Sequence, residues 1–503
     1  MRKSIKISGL LMLVIFIASL LFTGCDSSGV SASKKDYDLY IFSSKGEITN
    51  QFEAMCKAYE TEKGIKIKLY QIGSGTDHME PLRIEMNSSN KPSIFSIQGL
   101  RELNEWETSC SVMDLNTATV PEFINLANNI PENLKLTLDG KANYGIPYNI
   151  EGYGYIVDKQ MVTELFPSAN VDKLINDIKL SSYDEFEKFV IAVDNYIKNN
   201  TSTKVILNSN SYELSKTKTN LTKNLTGVFS VAGAERWTYS DHMMNVTLGA
   251  IFKNPAEARN ATDEKLDSMK GALTKYMKAL DFKTSHAAGN EGALSRGADF
   301  INTTTCDYNK AIQRFAQNKA LFIKQGNWAN TNIEKINPEM TKRLVLLPVK
   351  MPMASSDIKC EGMNVEKFNS SIPVYVPNYF AINNLVSPEE QKLAQEFLVW
   401  LNTSETGKHY ITNKFDFIPY NADKNLVLKD SINDSILSYV NENKTLPAAY
   451  HGITETWSKE VVGLELMEKY MTKPNWTTSD YENLADFAIK KWKELRYPDC
   501  INH

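Results

Sequence analysis

Trp328 sits in the stretch QGNWAN, where a strand pattern runs into a Gly/Asn turn. Trp237 sits in GAERWTYSD, a turn of small and polar residues. Neither follows the amphipathic helical pattern that surrounds Trp106, Trp400 and Trp492, so both are candidates to face a ligand. Gln98 ends a predicted strand, as do Ser43, Ser44 and the glycine turn at 73–75. A flat, stiff aromatic plate beside side chains with two polar atoms suits one kind of guest. That guest is a ring with apolar C–H faces and a rim of hydroxyls, as a sugar has. A hydroxyl left unpaired in a closed site costs ~1–3 kcal/mol, which lets such a site discriminate. Tyr148, Tyr379 and Phe417 also lie near turns and read as packing.

Chemistry beyond binding has no local signature. There is no phosphate-cradling G-x-x-x-x-G-K-[ST] and no G-x-S-x-G elbow. The six histidines are scattered, with no H-E-x-x-H, and no EF-hand loop occurs. No cofactor and no metal are expected. A glycosidase pair would need two carboxyls ~5–10 Å apart across the scissile bond, and no motif marks one. Besides Cys25 there are Cys56, Cys110, Cys306, Cys360 and Cys500, widely spaced and without C-x-x-C. This is neither a disulfide framework nor a zinc site, although a pairing of Cys306 with Cys360 stays open.

The elements that must position these residues alternate. YDLYIFSS reads as a buried strand. Ile48, Phe52, Met55, Cys56 and Tyr59 mark one helical face, with Gly64 as its stop. IKIKLYQI alternates as a half-exposed strand, and PSIFSIQG is a third. Strands alternating with helices predict a parallel α/β sheet with ligands at the strands' carboxyl ends. Ser182 with Glu185, and Ser387-Pro388 with Glu390, predict capped helix starts. Stretches 206–225, 284–309 and 353–371 are polar and predict loops. The 503 residues suffice for two or three domains. The net charge of −4 gives no case for nucleic acid as a partner.

The chain begins with Arg2, Lys3 and Lys6, an apolar run from Leu10 to Leu21 broken by Ser19, and the small residues Thr23 and Gly24. That is the layout of an export signal. FTGC resembles the bacterial lipobox, in which the cysteine is diacylated and becomes the first residue. Phe22 departs mildly from the usual Leu. Residues 1–24 are thus an expected lipoprotein signal peptide, Cys25 the lipid anchor, and 25–35 a flexible linker. Two acyl chains attach stably where one is marginal, which would hold the protein at the outer face of the cytoplasmic membrane. The rival reading is an uncleaved anchor, since the run approaches the ~20 residues of a bilayer span.

Three stretches in order carry a wider resemblance: YGIPYNIEGYGYIVDKQMV at 144–162, NKALFIKQGNWANTNI at 318–333, and VPNYFAINNLVSPEEQKLAQEFLVWLNTSETGKHYI at 376–411. Behind a lipobox, they resemble the extracellular solute-binding proteins of carbohydrate ABC importers, the maltose-binding-protein-like group. The resemblance implies an α/β, two-lobed periplasmic-binding-protein-like fold, with a ligand cleft between the lobes and a multi-segment hinge. The implied division is 36–149 plus about 384–430 for the first lobe, and 150–383 plus about 431–503 for the second. Crossings fall near 149–154 and 377–384. The implied function is capture of a carbohydrate, an oligosaccharide by the number of plates, for an ABC permease in the membrane, with no chemistry on the ligand. Matching positions make Trp328 a stacking plate, Glu151 a hydroxyl acceptor at the first crossing and Trp457 a second plate. Trp237, Gln98 and Asn327 complete the candidate site. The rivals are a secreted glycan-active lipoprotein enzyme, a sensor or adhesion lipoprotein on the same fold, and a receptor for a peptide or polyol.

Overall fold

The structure, a computed structural model, describes residues 35–73, 78–131, 134–138, 141–288, 298–422, 426, 428, 430–473 and 475–496. The expected signal segment, the anchor at Cys25, the linker as far as residue 34, part of the glycine turn at 73–75, and Cys500 lie outside the described residues. The chain divides into compact units at 1–37 and 38–503. In the first, Lys35 Nζ lies 5.8 Å from the centre of the Tyr37 ring. The second unit contains every element described below.

β1 (Leu39–Ser43) is buried throughout, as a central strand must be. The helix Thr49–Lys63 buries Phe52, Met55, Cys56 and Tyr59, the face read from the sequence. It ends at Gly64, whose φ of 71° is the left-handed cap that glycine adopts without strain. β2 (Ile67–Gln71) pairs parallel with one edge of β1, and β3 (Ile94–Ile97) with the other. After β4 (Ile146–Pro147) the chain leaves for a second lobe. There β5 (Glu151–Asp158) is the central strand, buried over all eight residues. β6 (Lys204–Leu207) and β7 (Asn210–Glu213) form a hairpin inside a stretch expected to be loop. Its tight turn rests on positive φ at Asn208 and Ser209. β8 (Gly227–Ser230) runs parallel to β9 (Ala320–Gly326), which pairs antiparallel with β5. β10 (Leu344–Leu347) and β11 (Ile372–Tyr375) share the other edge of β5. β12 (Tyr379–Ile382) returns to the first lobe, and β13 (Thr445–Leu446) extends the second-lobe sheet beyond β11.

The first sheet therefore has the order β2-β1-β3-β12-β4, and the second runs β13-β11-β5-β9-β8. The parallel expectation holds for β2-β1-β3. β12 runs antiparallel to both β3 and β4. It is reached from the other lobe through a few residues rather than through the helical crossover that a parallel pairing needs. The second boundary is corrected too. β12 lies in the first sheet, so the crossing falls at 376–378, and 379–383 belong to the first lobe rather than the second. The third crossing passes Ile418, whose carbonyl accepts the Ile150 N–H at 2.8 Å. The helix Ser431–Asn441 then packs on β5, β10 and β11.

Both capping boxes form, at Ser182–Glu185 and Ser387–Glu390. The core runs without a break through the hinge. Ile41, Phe52, Tyr148, Phe380 and Phe417 on one side are continuous with Ile156, Ile323, Leu346 and Ile436 on the other. Tyr148 stacks on Phe380 at 3.9 Å between ring centres, which places it in packing, as Tyr379 and Phe417 are. Cys306 and Cys360 are both buried and both free, so that pairing does not form.

Candidate functional site

The end of β9 carries Trp328. Gly326 leaves room for its ring: a Cβ there would lie 2.2 Å from the indole. Trp328 Nε1 donates to Gln325 Oε1 at 3.0 Å, which fixes the ring's azimuth. Trp237 precedes a π-helical turn, Thr238–Met243, of the kind often found at functional sites. The turn brings His242 inward, so that its ring stacks on Tyr153 at 4.4 Å and lies 5.1 Å from Trp328. Trp237 meets Trp328 edge to face at 6.4 Å. Both tryptophans are half-buried. Burial drives the His242 pKa far down, and Lys324, His451 and Arg101 push the same way, so its ring is neutral at neutral pH. Its Nδ1 is buried without a partner among the described residues. Lys324 braces the turn from beneath, donating to the Thr238 carbonyl at 2.6 Å.

The first lobe contributes the turn after β1. Lys45 Nζ lies 2.5 Å from Glu151 Oε1 and 3.3 Å from Glu47 Oε1. Burial lowers the Lys45 pKa, but Glu151 and Glu47 outweigh it and the net shift is upward. Tyr375 donates to the other Glu151 oxygen at 3.4 Å. Ser43 Oγ and Tyr148 Oη share a hydrogen bond of 3.1 Å, and Ser44 Oγ donates to Asn378 Oδ1 at 2.8 Å. Three consecutive residues thus bolt to two crossings of the hinge. Tyr308 closes the ring of groups, 6.0 Å from Trp237, with its backbone N–H on Glu235 Oε1 at 3.1 Å. Burial first, with the fields of Glu47, Glu151 and Glu235 against the Asn332 hydrogen bond, pushes its hydroxyl up to about 12.

The structure brings Trp328, Trp237 and Glu151 into one neighbourhood. Gln98 is exposed at the end of β3, its N–H held by Glu102 Oε2 at 2.6 Å. Two candidates are corrected. Asn327 is buried, with Nδ2 on Asn433 Oδ1 at 2.8 Å and Oδ1 receiving the Gly152 N–H at 3.4 Å. Each end of its amide is engaged by the fold, which gives Asn327 a structural role the sequence did not show. Trp457 is 1% exposed, packs on Trp492 at 4.5 Å and donates to the Ala488 carbonyl. It is a core side chain, because the C-terminal helices close over it. Sequence reasoning missed Lys45, Glu47, Tyr308 and His242. For the first two a signal existed: they lie just past the strand end at Ser43 and Ser44.

Lys45 fills the space between Glu47 and Glu151, where a hydrolytic pair would need a scissile bond. Among the described residues no group of His, Cys, Asp and Glu could hold a metal ion, and no helix is long and apolar enough to cross a membrane. A separate cavity of 930 Å³ lies between the lobes, lined by Gly99, Leu136, Tyr375, Tyr379, Leu446 and His451 among others. None of Trp328, Trp237, Lys45 and Glu151 lines it.

A family model described as bacterial extracellular solute-binding protein matches residues 54–437, and the chain belongs to that family. No curated protein matches the sequence. Among solved structures, RafE of Streptococcus pneumoniae in complex with raffinose is similar at a TM-score of 0.61 and 16% identity, over 91% of this chain and 99% of that one. A sugar transporter of Bacillus licheniformis in complex with stachyose gives 0.57 and 13%, over 91% and 99%. The GacH receptor of Streptomyces glaucescens gives 0.58 and 11%, over 91% and 98%. At these identities the likeness establishes the two-lobed binding-protein fold.

Proposed function

We propose that this extracellular solute-binding protein captures a carbohydrate between its lobes and delivers it to an ABC permease without altering it. The observation that carries the reading is the pair of half-buried tryptophans, Trp237 and Trp328, set edge to face beside Lys45, Glu47, Glu151 and Tyr308. Indole faces cover the C–H faces of a sugar, and the carboxylates and the ammonium meet its hydroxyls. More than one plate favours an oligosaccharide over a monosaccharide. The sugars bound by RafE and the Bacillus licheniformis protein, raffinose and stachyose, support that preference on the shared fold. Lipidation at Cys25 would keep the receptor beside the permease to which it hands its cargo.

The test is calorimetric titration with a panel of mono- and oligosaccharides, peptides and polyols. Binding of one oligosaccharide class, lost in Trp328→Ala, supports the reading. Binding of peptides alone keeps the fold and discards the sugar. Release of shortened products from an oligosaccharide would replace the receptor by an enzyme. For the anchor, Cys25→Ala should move the protein from the membrane fraction to the medium.

A further inference from the structure

The helix Leu100–Thr108 belongs to the first lobe, directly after β3. Its N-cap and first turns touch the second lobe directly. At the hinge end, Gly99 lies under His451, and a Cβ there would stand 2.6 Å from the imidazole. The Gly99 φ of 90° keeps that close approach open to glycine alone. His451 in turn lies 5.8 Å from Tyr375 at the end of β11. Two residues further along, the Arg101 guanidinium reaches 3.6 Å from Asp241 Oδ1 and lies 5.3 Å from the centre of the Tyr450 ring. One turn beyond, Arg259 donates to Asn104 Oδ1 at 3.4 Å.

We propose that Arg101 is a positioning residue that holds the two lobes together before any ligand arrives, and thereby sets the affinity of the cleft. The proposal rests on capture between two lobes. Asp241 is itself held, accepting the Ser458 hydroxyl from the C-terminal helices. It lies in the π-helical turn, one residue before His242 and four after Trp237. The latch therefore grips the segment that carries the aromatic wall. The Arg101 side chain is 14% exposed and that of Asp241 11%, so salt screens the pair weakly. Parting the lobes strips Arg101 from the carboxylate and the ring together. Lys45 and Glu151 also join the lobes, but at the hinge, where opening moves them least. Contacts further along the helix have the longer lever. A receptor that is closed a larger fraction of the time binds more tightly in the same proportion, because ligand no longer has to drive closure.

The test needs no ligand, which separates it from the carbohydrate reading. It uses residues 38–503, the compact unit that contains all of the cores described. Small-angle scattering of the ligand-free protein would compare wild type, Arg101→Ala, Arg101→Lys and Asp241→Asn, with melting temperatures alongside. Wild type should give a radius of gyration near the ~23 Å of a compact chain of this length. Arg101→Ala and Asp241→Asn should both raise it with the melting temperature nearly unchanged, and Arg101→Lys should restore most of the closed value. Unchanged scattering in Arg101→Ala and Asp241→Asn overturns the latch. Should Arg101→Ala not fold, the isosteric Asp241→Asn decides by the same criterion.

Discussion

Glu151→Gln removes one charge from a pair that is almost wholly enclosed. The Lys45 and Glu151 side chains are 7% and 6% exposed, so solvent screens their 2.5 Å contact hardly at all. Removing one partner from a buried ion pair costs ~3–5 kcal/mol, because the other charge is left in low dielectric. Here Glu47 stays 3.3 Å from the ammonium, with 22% of its own side chain exposed. The expected loss is therefore at the low end, about 3 kcal/mol. The sign with pH follows from Lys45, whose pKa is raised in the folded state. Its contribution is complete below the unfolded value of 10.5 and fades as pH climbs through the folded one. The penalty of Glu151→Gln should therefore be full at pH 7 and shrink above pH 10.5. Urea unfolding followed by tryptophan fluorescence reads this as a lower midpoint at constant m. Lys45→Met together with Glu151→Gln should be less damaging than the two single changes summed, since neither the buried ammonium nor the Glu151 carboxylate is then left without the other. A Glu151→Gln midpoint within ~0.5 kcal/mol of wild type, or strict additivity in the cycle, would refute the assignment of this pair as a stability determinant.

Trp328→Ala should weaken ligand binding at least ~10-fold in calorimetry, a loss of ~1.4 kcal/mol, as removal of a stacking plate requires. Asp430, at the N-cap of the helix Ser431–Asn441, is buried next to Asp416; burial first, and then that charge, pushes its carboxyl up to about 7. A raised carboxyl pKa means that the folded state binds the proton more tightly, so stability falls as pH rises from 3.8 to about 7 and is flat beyond. Asp430→Asn keeps the cap acceptor without the charge. It should gain of order 2–4 kcal/mol at pH 8 and nothing at pH 3, by denaturant midpoints. Lys350 donates to three carbonyls, of Lys179, Ser181 and Asn369, at 2.7, 2.8 and 2.7 Å. Lys350→Met should cost several kcal/mol at ~1–3 for each stranded acceptor, read as a lower melting temperature.

Local patterning makes the first lobe's parallel strands, the helix ending at Gly64 and both capping boxes legible, because each depends on residues within a few positions. The hairpin at 204–213 escapes the same reading. Its strands carry Lys204, Asn210, Ser211 and Glu213, and the signal for pairing is the left-handed turn at Asn208 and Ser209 rather than hydrophobicity. The end of the second lobe is misjudged for a different reason. YFAI at 379–382 looks the same whichever sheet it joins, and only β3 and β4, more than two hundred residues earlier, decide. Trp328 and Trp237 stand out in the sequence because they sit in turns of Gly, Asn and small residues, and the structure leaves both half-buried. Trp457 is a second plate only by the resemblance, which carries no information about the helix Thr478–Leu495 that covers it in space.

On the proposed carbohydrate reading, the turn after β1 entangles stability with ligand capture. Ser43, Ser44 and Lys45 reach Tyr148, Asn378 and Glu151, groups at two different crossings, through short polar contacts. A hinge needs such contacts to define its axis, since the apolar core that runs through it resists separation without fixing an angle. A hydroxylated ligand placed against Trp328 would meet this same lysine and these same carboxylates. It would exchange their mutual contacts for contacts with itself. Binding can then stabilise closure only by the difference between the two sets, so the resident ion pair lowers the affinity of every ligand while penalising most those unable to replace it. Glu47→Gln tests this directly. It leaves the Lys45–Glu151 contact in place and loosens only the outer partner, so it should change ligand affinity more than it changes the unfolding midpoint. An unfolding loss as large as that of Glu151→Gln, with affinity unmoved, would show that the turn serves the hinge alone.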